Sequence, residues 1–216
     1  MFLNDFCTDR TFIIGSLQNY KSNILEKRFF QLSDHYREKE TTIDEIISFV
    51  KDNENCFYRN CLKGHITSSA LVVNQNFTKI LLTYHAKLNK WLQLGGHCDG
   101  ESIVYQSALR EAKEESGLKS IDFIDIENFP NILSDAKIPQ PFDIDIHYIP
   151  ERKNEPGHFH YDIRYLLFSK DENITISEES LDLKWIQINE INFYSNEVSC
   201  LRQVEKLKYL IAKLKR

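Results

Sequence analysis

Glu111, Glu114 and Glu115 stand at i, i+3 and i+4. On a helix of 3.6 residues per turn, their carboxylates leave one face within about 100° of one another. Like charges at those spacings repel by roughly 0.2–0.5 kcal/mol per pair even when solvated. A divalent cation removes that repulsion. Hard carboxylate oxygens with no cysteine pair nearby select Mg²⁺ or Mn²⁺ rather than zinc. Immediately upstream runs Gly95-Gly96-His97-Cys98-Asp99-Gly100-Glu101-Ser102, a glycine-rich turn that delivers the chain into the acidic segment.

A second set of chemical groups lies further along. Phe142 to His147 alternates apolar and polar, so Asp143, Asp145 and His147 share one strand face. After the loop PERKNEPG, the run His158 to Phe168 places His158, His160, Asp162 and Arg164 on one face in the same way. The two runs read as a long hairpin with two plausible registers. One sets His147 opposite His160 and Asp143 opposite Arg164, and the other sets His147 opposite His158 and Asp143 opposite Asp162. Either produces a face of imidazoles and carboxylates. It could serve as a polar hydrogen-bonded wall, as the wall of a pocket, or as a zinc site with Cys98 or His97, for which about four converging ligands are needed. His65, in an earlier strand, reads as structural.

The elements that must position these groups follow from periodicity. Residues 1 to about 62 read as a helical extension. Ile24, Leu25, Phe29, Phe30 and Leu32 form an apolar stripe within residues 16–37, and a second helix opens at Thr41 or Thr42 and carries Ile43, Ile46, Ile47 and Val50. Such an extension packs as a cap on the main domain or serves as a substrate lid or dimer arm. From Gly64 the period changes to that of strands: residues 65–73, a turn at Asn74-Gln75-Asn76, a hairpin partner over 79–84, and a short strand over Trp91 to Leu94. Gly117 suits the left-handed residue that ends the acidic helix. Residues 174–176 and 183–186 read as strands, with Glu178 and Glu179 in the turn between them. Residues 195–215 form a terminal helix with Val198, Leu201, Val204, Leu207, Leu210, Ile211 and Leu214 on its buried side. Strands, a helix, more strands and a final helix make a mixed α/β (α+β) sandwich. The divisions are an extension over 1–62, a main domain over 63–193, and a terminal helix over 194–216 that packs on it.

Composition narrows the function. Across 216 residues the chain is 42% hydrophobic and 27% charged with a net charge of −5, ordinary for one globular domain with an extension. Without a basic excess, a nucleic-acid backbone binder is not expected. No apolar run approaches the length of a membrane span, and the start lacks a signal-peptide layout, so a cytoplasmic protein with no membrane partner is expected. Five scattered cysteines, Cys7, Cys56, Cys61, Cys98 and Cys200, form no C-x-x-C pair and read as reduced thiols. Trp91, Trp185, Tyr148 and Tyr161 could stack on a base, although packing is the simpler job for the tryptophans.

The central stretch resembles the signature of Nudix hydrolases, G-x5-E-x7-R-E-U-x-E-E-x-G-U with U aliphatic. Aligned on Arg110-Glu111, the chain supplies Gly96, Arg110, Glu111, Ala112, Glu114, Glu115, Gly117 and Leu118 at the required spacings. The Gly-Gly-His-Cys-Asp-Gly opening, Phe-Asp-Ile-Asp-Ile-His and the later His-x-His-x-Asp are similar to an uncharacterised bacterial branch of that superfamily. The resemblance implies a Nudix-like α/β/α sandwich with a mixed sheet and an N-terminal helical extension. It also implies a divalent-metal-dependent pyrophosphohydrolase acting on a nucleoside diphosphate derivative or similar small substrate. Gly96, Glu114 and Glu115 would bind Mg²⁺ or Mn²⁺, Glu111 would be a further ligand or the base that activates water, and Arg110 would orient the glutamates. Substrate contacts are assigned to His97, Asp145, His147, His158, His160 and Asp162. A homodimer is a further expectation, since the terminal helices offer apolar faces.

One position departs from the pattern. The first glutamate falls on Ser102, with Glu101 beside it, and counted from Gly95 that residue already has the G-x5-E spacing. Either Glu101 takes over the support of Arg110, or Ser102 caps the helix and the site is weakened. The competing functions are therefore a ligand sensor or interaction module that has lost turnover, and an isomerase on the same fold that would need a cysteine and a glutamate facing across a pocket.

Overall fold

The structure is a computed structural model that describes residues 6–86, 88–133, 137–152, 155–177 and 180–214. Glu178, Glu179 and part of the loop after Ile149 lie outside the described residues. The chain opens with α1 (Phe6–Tyr20), extended by one π-helical turn over Lys21–Leu25, and α2 (Glu40–Asp52). Then follow β1 (Gly64–Asn74), β2 (Lys79–His85), β3 (Lys90–Leu92), β4 (Leu94–His97), α3 (Val104–Ser116), β5 (Ile121–Phe123), β6 (Asp143–Ile149), β7 (His158–Ser169), β8 (Ser180–Gln187) and α4 (Val198–Leu214).

β1 and β7 form the spine. They run parallel from Gly64 opposite Phe159 to Asn74 opposite Ser169, and α3 lies in the crossover between them. β1 is buried along its whole length, as expected for a parallel strand covered on both faces. β2 and β4 pair antiparallel with β1, while β5 and β6 pair antiparallel with β7, and β3 and β8 attach to β2. Tyr161 and Tyr165 share one face of β7. Phe49 of α2 stacks on Tyr161 at 3.9 Å, and Tyr105 of α3 meets Tyr165 edge-on at 6.5 Å. Arg164 lies on the other face, where its guanidinium donates to the Ser199 carbonyl of α4 at 3.3 Å. Helices thus cover both faces of a mixed sheet, the expected α/β/α sandwich.

The N-terminal segment differs from its expected outline. Ile24 stays in the helical turn, but the stripe through Phe29, Phe30 and Leu32 continues as irregular chain rather than helix. Phe30 turns inward and packs edge-on against Phe142 at 5.7 Å and Tyr209 at 5.9 Å. Its burial against two partners outweighs the weak preference of the segment for helix. α2 begins at Glu40, preceded by Lys39 with no side-chain cap, so the expected threonine start is not used. Ile43, Ile46, Ile47 and Val50 are buried as expected, and both helices join one continuous core with the sheet. This is the cap arrangement.

Two further expectations change. Residues 174–176 are not a strand. Thr175 instead donates its N–H to the Ser116 carbonyl at 2.8 Å, satisfying an orphan acceptor at the end of α3. The predicted strand over Trp91 to Leu94 splits at Gln93 into β3 and β4, which pair with different neighbours. In α4, Val204, Leu207 and Leu210 are buried, but Val198 and Leu214 are exposed. Lys206 is fully buried among the apolar residues.

That lysine belongs to an ionic network between the sheet, α4 and the N-terminal cap. Its ammonium reaches Asp143 at 2.7 Å, the Tyr20 hydroxyl at 2.8 Å and the Phe142 carbonyl at 2.9 Å, and also pairs with Glu38. Arg202 holds Asp143 with two hydrogen bonds of 2.7 and 2.8 Å. Arg164 spans Asp162 at 2.7 Å, Asp145 at 3.1 Å and Asp143 at 3.2 Å. Burial alone would push the Asp143 carboxyl up. The charges of Arg202, Lys206 and Arg164 outweigh that and hold it well below the usual carboxylate range.

Removing one member of such a network leaves uncompensated buried charge. Asp143→Ala is expected to destabilise the fold by about 3–5 kcal/mol, read from urea denaturation at pH 7. Because the folded pKa of Asp143 is depressed, its contribution is complete above the ordinary aspartate value of about 4 and is lost as pH falls from there toward the native value. Denaturation at a series of pH values below 4 should therefore show a shallower loss of stability for Asp143→Asn than for the parent chain.

Candidate active site

Gly95 is required by a close approach of backbones. Its φ is +153°, and a Cβ there would lie 2.3 Å from the Ser69 Cβ and 2.5 Å from the Ser69 Cα on β1. Gly96 is bare for a different reason: its missing Cβ would lie 2.5 Å from Glu111 Oε2, so the glutamate of α3 rests directly on the glycine. α3 ends at Gly117, which is left-handed with φ +68°, as its position predicts.

The three glutamates divide by exposure. Glu115 is 6% exposed and accepts the Gly95 N–H at 3.0 Å. The Glu111 side chain is 15% exposed, and that of Glu114 is 61% exposed. Arg110 ties the group together. It donates to Glu111 at 2.6 Å, to Glu114 at 3.3 Å and to the His97 carbonyl at 3.0 Å. Burial would lower the pKa of Arg110, but the two carboxylates raise it, so the guanidinium is a fixed charge. The donor set is all oxygen, with Glu111 and Glu115 both anchored against the Gly95-Gly96 backbone. It fits a hard divalent cation.

Of the two alternatives for this position, support of Arg110 by Glu101 is not what the loop shows. The Glu101 carboxylate accepts the Ile103 N–H at 3.2 Å, where α3 begins. The residue before the helix is Ile103, with no side-chain cap, so Ser102 does not cap it. A clamp from the N-terminal extension steadies the loop instead. Arg59 grips Asp99 through two bonds of 2.7 Å, and the Gly100 N–H donates to the Phe57 carbonyl at 3.0 Å. Asp99 itself has φ +48°, and the hydrogen bonds from Arg59 lower its carboxyl pKa.

Beside this helix lies an open cleft of about 650 Å³ lined by Tyr105, Leu109, Arg110, Lys113, Glu114, Phe123 and Lys137, among others. Two aromatic rings, three cations and one of the glutamates meet there. Arg110 and Glu114 are the sequence-predicted residues that line this cleft. Lys113, Phe123 and Lys137 were not singled out from the sequence. Lys113 follows from its position one residue before Glu114, whereas Lys137 is delivered by the irregular segment before β6.

The hairpin adopts the register that pairs His147 with His160 and Asp143 with Arg164. The alternative would have set Asp143 against Asp162. Asp162 is buried and accepts from Ser69 at 2.8 Å, Arg164 at 2.7 Å and Thr67 at 3.1 Å. Asp145 accepts from Arg164 and from His147 Nδ1, each at 3.1 Å. The structure thus places both aspartates in the ionic network. It gathers His147, His158 and His160 with His97 and adds His65, whose ring lies 5.0 Å from that of His97 and 4.8 Å from that of His160. The expectation that His65 is purely structural therefore omits its place in this cluster. Cys98 is buried beside Ser107, and burial pushes its thiol up to about 12.

Residues 64–204 match the NUDIX domain family model. The chain belongs to the Nudix hydrolase family. No curated protein sequence matches it. Among solved structures it is similar to a NUDIX-family hydrolase from Clostridium perfringens, with 25% identity, 68% of this chain and 97% of that chain covered, and a TM-score of 0.49. It is also similar to the C. elegans Ap4A hydrolase in a binary complex, at 15% identity, with 69% and 97% covered and a TM-score of 0.48. A third likeness is to the E. coli dihydroneopterin triphosphate pyrophosphohydrolase, at 14% identity, with 68% and 95% covered and a TM-score of 0.48. Among the described residues no helix is long and apolar enough to cross a membrane.

The two glycines should respond differently to alanine. Gly95→Ala drives a Cβ into strand backbone and is expected to cost stability by more than about 1 kcal/mol, visible as a lowered thermal midpoint. Gly96→Ala meets only the carboxylate end of the Glu111 side chain rather than backbone. It should keep its thermal midpoint within a few degrees and lose affinity for Mn²⁺ in calorimetric titration.

Proposed function

We propose that this protein is a divalent-cation-dependent hydrolase that cleaves a pyrophosphate bond in a nucleoside diphosphate derivative or similar small substrate. The observation that carries the reading is the meeting of Arg110 and Glu114 with Lys113, Lys137, Tyr105 and Phe123 on one cleft at the exposed face of α3. Cations there offset phosphate charge, and the two rings provide flat apolar surface for a base. Glu111, Glu114, Glu115 and the Gly96 backbone would hold Mg²⁺ or Mn²⁺. When bound, such an ion neutralises phosphoryl oxygens and lowers the pKa of water for in-line attack on phosphorus.

The residues of the chain have separable tasks. Glu115, fixed on the Gly95 N–H, sets the distance between α3 and the glycine turn. Glu111, poised over Gly96, is the candidate to take the proton of the attacking water. Arg110 keeps Glu111 and Glu114 apart and oriented, through charge-assisted hydrogen bonds. Lys113 and Lys137 contact the substrate away from the bond that breaks. Asp145 and Asp162 are assigned here to support of the sheet face rather than to substrate contact, because Arg164 and its neighbours engage both. The isomerase alternative asks for a cysteine and a glutamate facing across a pocket, and the cysteines whose side chains are described, Cys56, Cys61, Cys98 and Cys200, are all buried.

The test is phosphate release from a panel of nucleoside diphosphate derivatives with Mg²⁺, with Mn²⁺ and after chelation. Turnover should require the ion and be abolished in Glu111→Gln and Glu114→Gln. Arg110→Ala, which removes an orienting partner, is expected to lower activity by about 10–100-fold. Lys137→Ala should raise KM and leave kcat nearly unchanged, as loss of uniform binding does. Absence of turnover on the whole panel, with no effect of Glu114→Gln on divalent-ion binding, would refute the proposal.

A further inference from the structure

The histidine cluster gathers where β1, β4, β7 and β6 run side by side. His65 pairs with His160 across the parallel β1–β7 ladder, and Thr67 pairs with His97 across β1–β4. Alternation along each strand then sets His65, His97 and His160 on one sheet face. One ring nitrogen from each of the three lies within 4.8 Å of the others. His65 is 2% exposed, and both of its ring nitrogens are buried with no hydrogen-bond partner. Nε2 of His97 is buried and unpartnered as well.

A neutral imidazole carries one N–H donor and one lone pair. Leaving such groups buried and unmade costs about 1–3 kcal/mol each, and native interiors avoid it. Two adjacent rings with three unpartnered nitrogens therefore call for a partner. The neighbouring ring supplies a further clue. Nδ1 of His158 faces the Pro156 carbonyl at 2.9 Å, which fixes the proton on Nδ1 and leaves Nε2 with its lone pair. That Nε2 accepts the N–H of His160 Nε2 at 3.1 Å, which leaves the lone pair of His160 on its Nδ1.

We infer that His65, His97 and His160 bind an imidazole-preferring transition-metal ion such as Zn²⁺. The neutral imidazole is the form that ligates. The chemistry differs from that of the glutamates, because nitrogen donors select Zn²⁺ and its neighbours whereas carboxylates suit Mg²⁺ and Mn²⁺. The two sites also approach β4 from opposite faces. Gly96 and His97 are consecutive strand residues, and Glu111 lies on the side to which a Gly96 Cβ would point. The ion would tie β4, which carries the glycine turn, to the two spine strands.

The experiment uses untagged full-length protein purified without added metal or chelator. Elemental analysis should find about one equivalent of a zinc-class ion per chain. After chelation, ZnCl2 should bind back with one-to-one stoichiometry and raise the thermal midpoint, and Co²⁺ should give the visible absorption of a four-coordinate nitrogen site. His97→Asn and His160→Asn should each lose the ion and the thermal response, whereas Glu114→Gln should keep both. A chelated wild-type chain that shows no saturable Zn²⁺ binding overturns the inference without recourse to any variant. Binding that survives both histidine substitutions overturns it equally. Neither result bears on turnover by the glutamate site, which is read separately.

Discussion

The buried ionic network around Asp143 is the constraint on which the tertiary arrangement depends. Arg164 from β7 and Arg202 and Lys206 from α4 converge on one aspartate of β6, and Lys206 carries the network on to Glu38 and Tyr20 of the extension. Few other contacts involve so many separate parts of the chain. A buried charge is tolerable only when its partners are in place, so the position of α4 and that of the N-terminal cap are coupled. Glu38 also accepts the Ile144 N–H at 3.1 Å, which draws the irregular segment between α1 and α2 onto the edge of the sheet. In this protein the extension completes the electrostatics of the domain rather than hanging from it.

The same extension reaches the glycine-rich loop before α3 by another route. Arg59 and Phe57 hold Asp99 and Gly100, and Asp99 adopts a backbone conformation that costs energy outside glycine. Where the family signature would have a glutamate, this chain has Ser102. The loop is steadied here from residues outside the signature, and Arg110 is held by the acids it serves and by the His97 carbonyl. The departure at Ser102 therefore shifts the support of the loop to Arg59 and Phe57 and leaves the glutamates of α3 in place.

Polar residues on the sheet face separate into two neighbourhoods that sequence alternation alone could not divide. Thr67, Ser69, Asp145, Asp162 and Arg164 satisfy one another and continue into the ionic network. One step along the strands, the imidazoles stand together with unfilled hydrogen-bonding capacity. The first neighbourhood is a network of paired charges, whereas in the second one ring nitrogen each of His65, His97 and His160 lies within 4.8 Å of the others. The aspartates and histidines that look equivalent in Phe-Asp-Ile-Asp-Ile-His and His-x-His-x-Asp thus carry different burdens.

Much of the local organisation was legible because it depends on spacing within one element. Glu111, Glu114 and Glu115 fall on one face through the 3.6-residue period, Gly117 ends the helix through its tolerance of positive φ, and β1 with β2 follows from the turn at Asn74. The hairpin register was narrowed to two choices, and opposite charge at Asp143 and Arg164 decides between them. Long-range pairing was not legible. His65 meets His160 only because β1 and β7 run parallel in one register, and nothing near either residue encodes that. Lys206 sits among Val204, Leu207 and Leu210 and would be read as solvated, because the carboxylates that admit it to the core come from Glu38 and Asp143. Phe30 continued a helical stripe until Phe142 and Tyr209 offered it a better burial. The sequence by itself determined the acidic helix, its glycine turn and the class of ion they suit, since these rest on local geometry. Which charges are buried, where the cleft opens and which imidazoles converge were decided only by the tertiary structure, because each depends on partners brought together from distant parts of the chain.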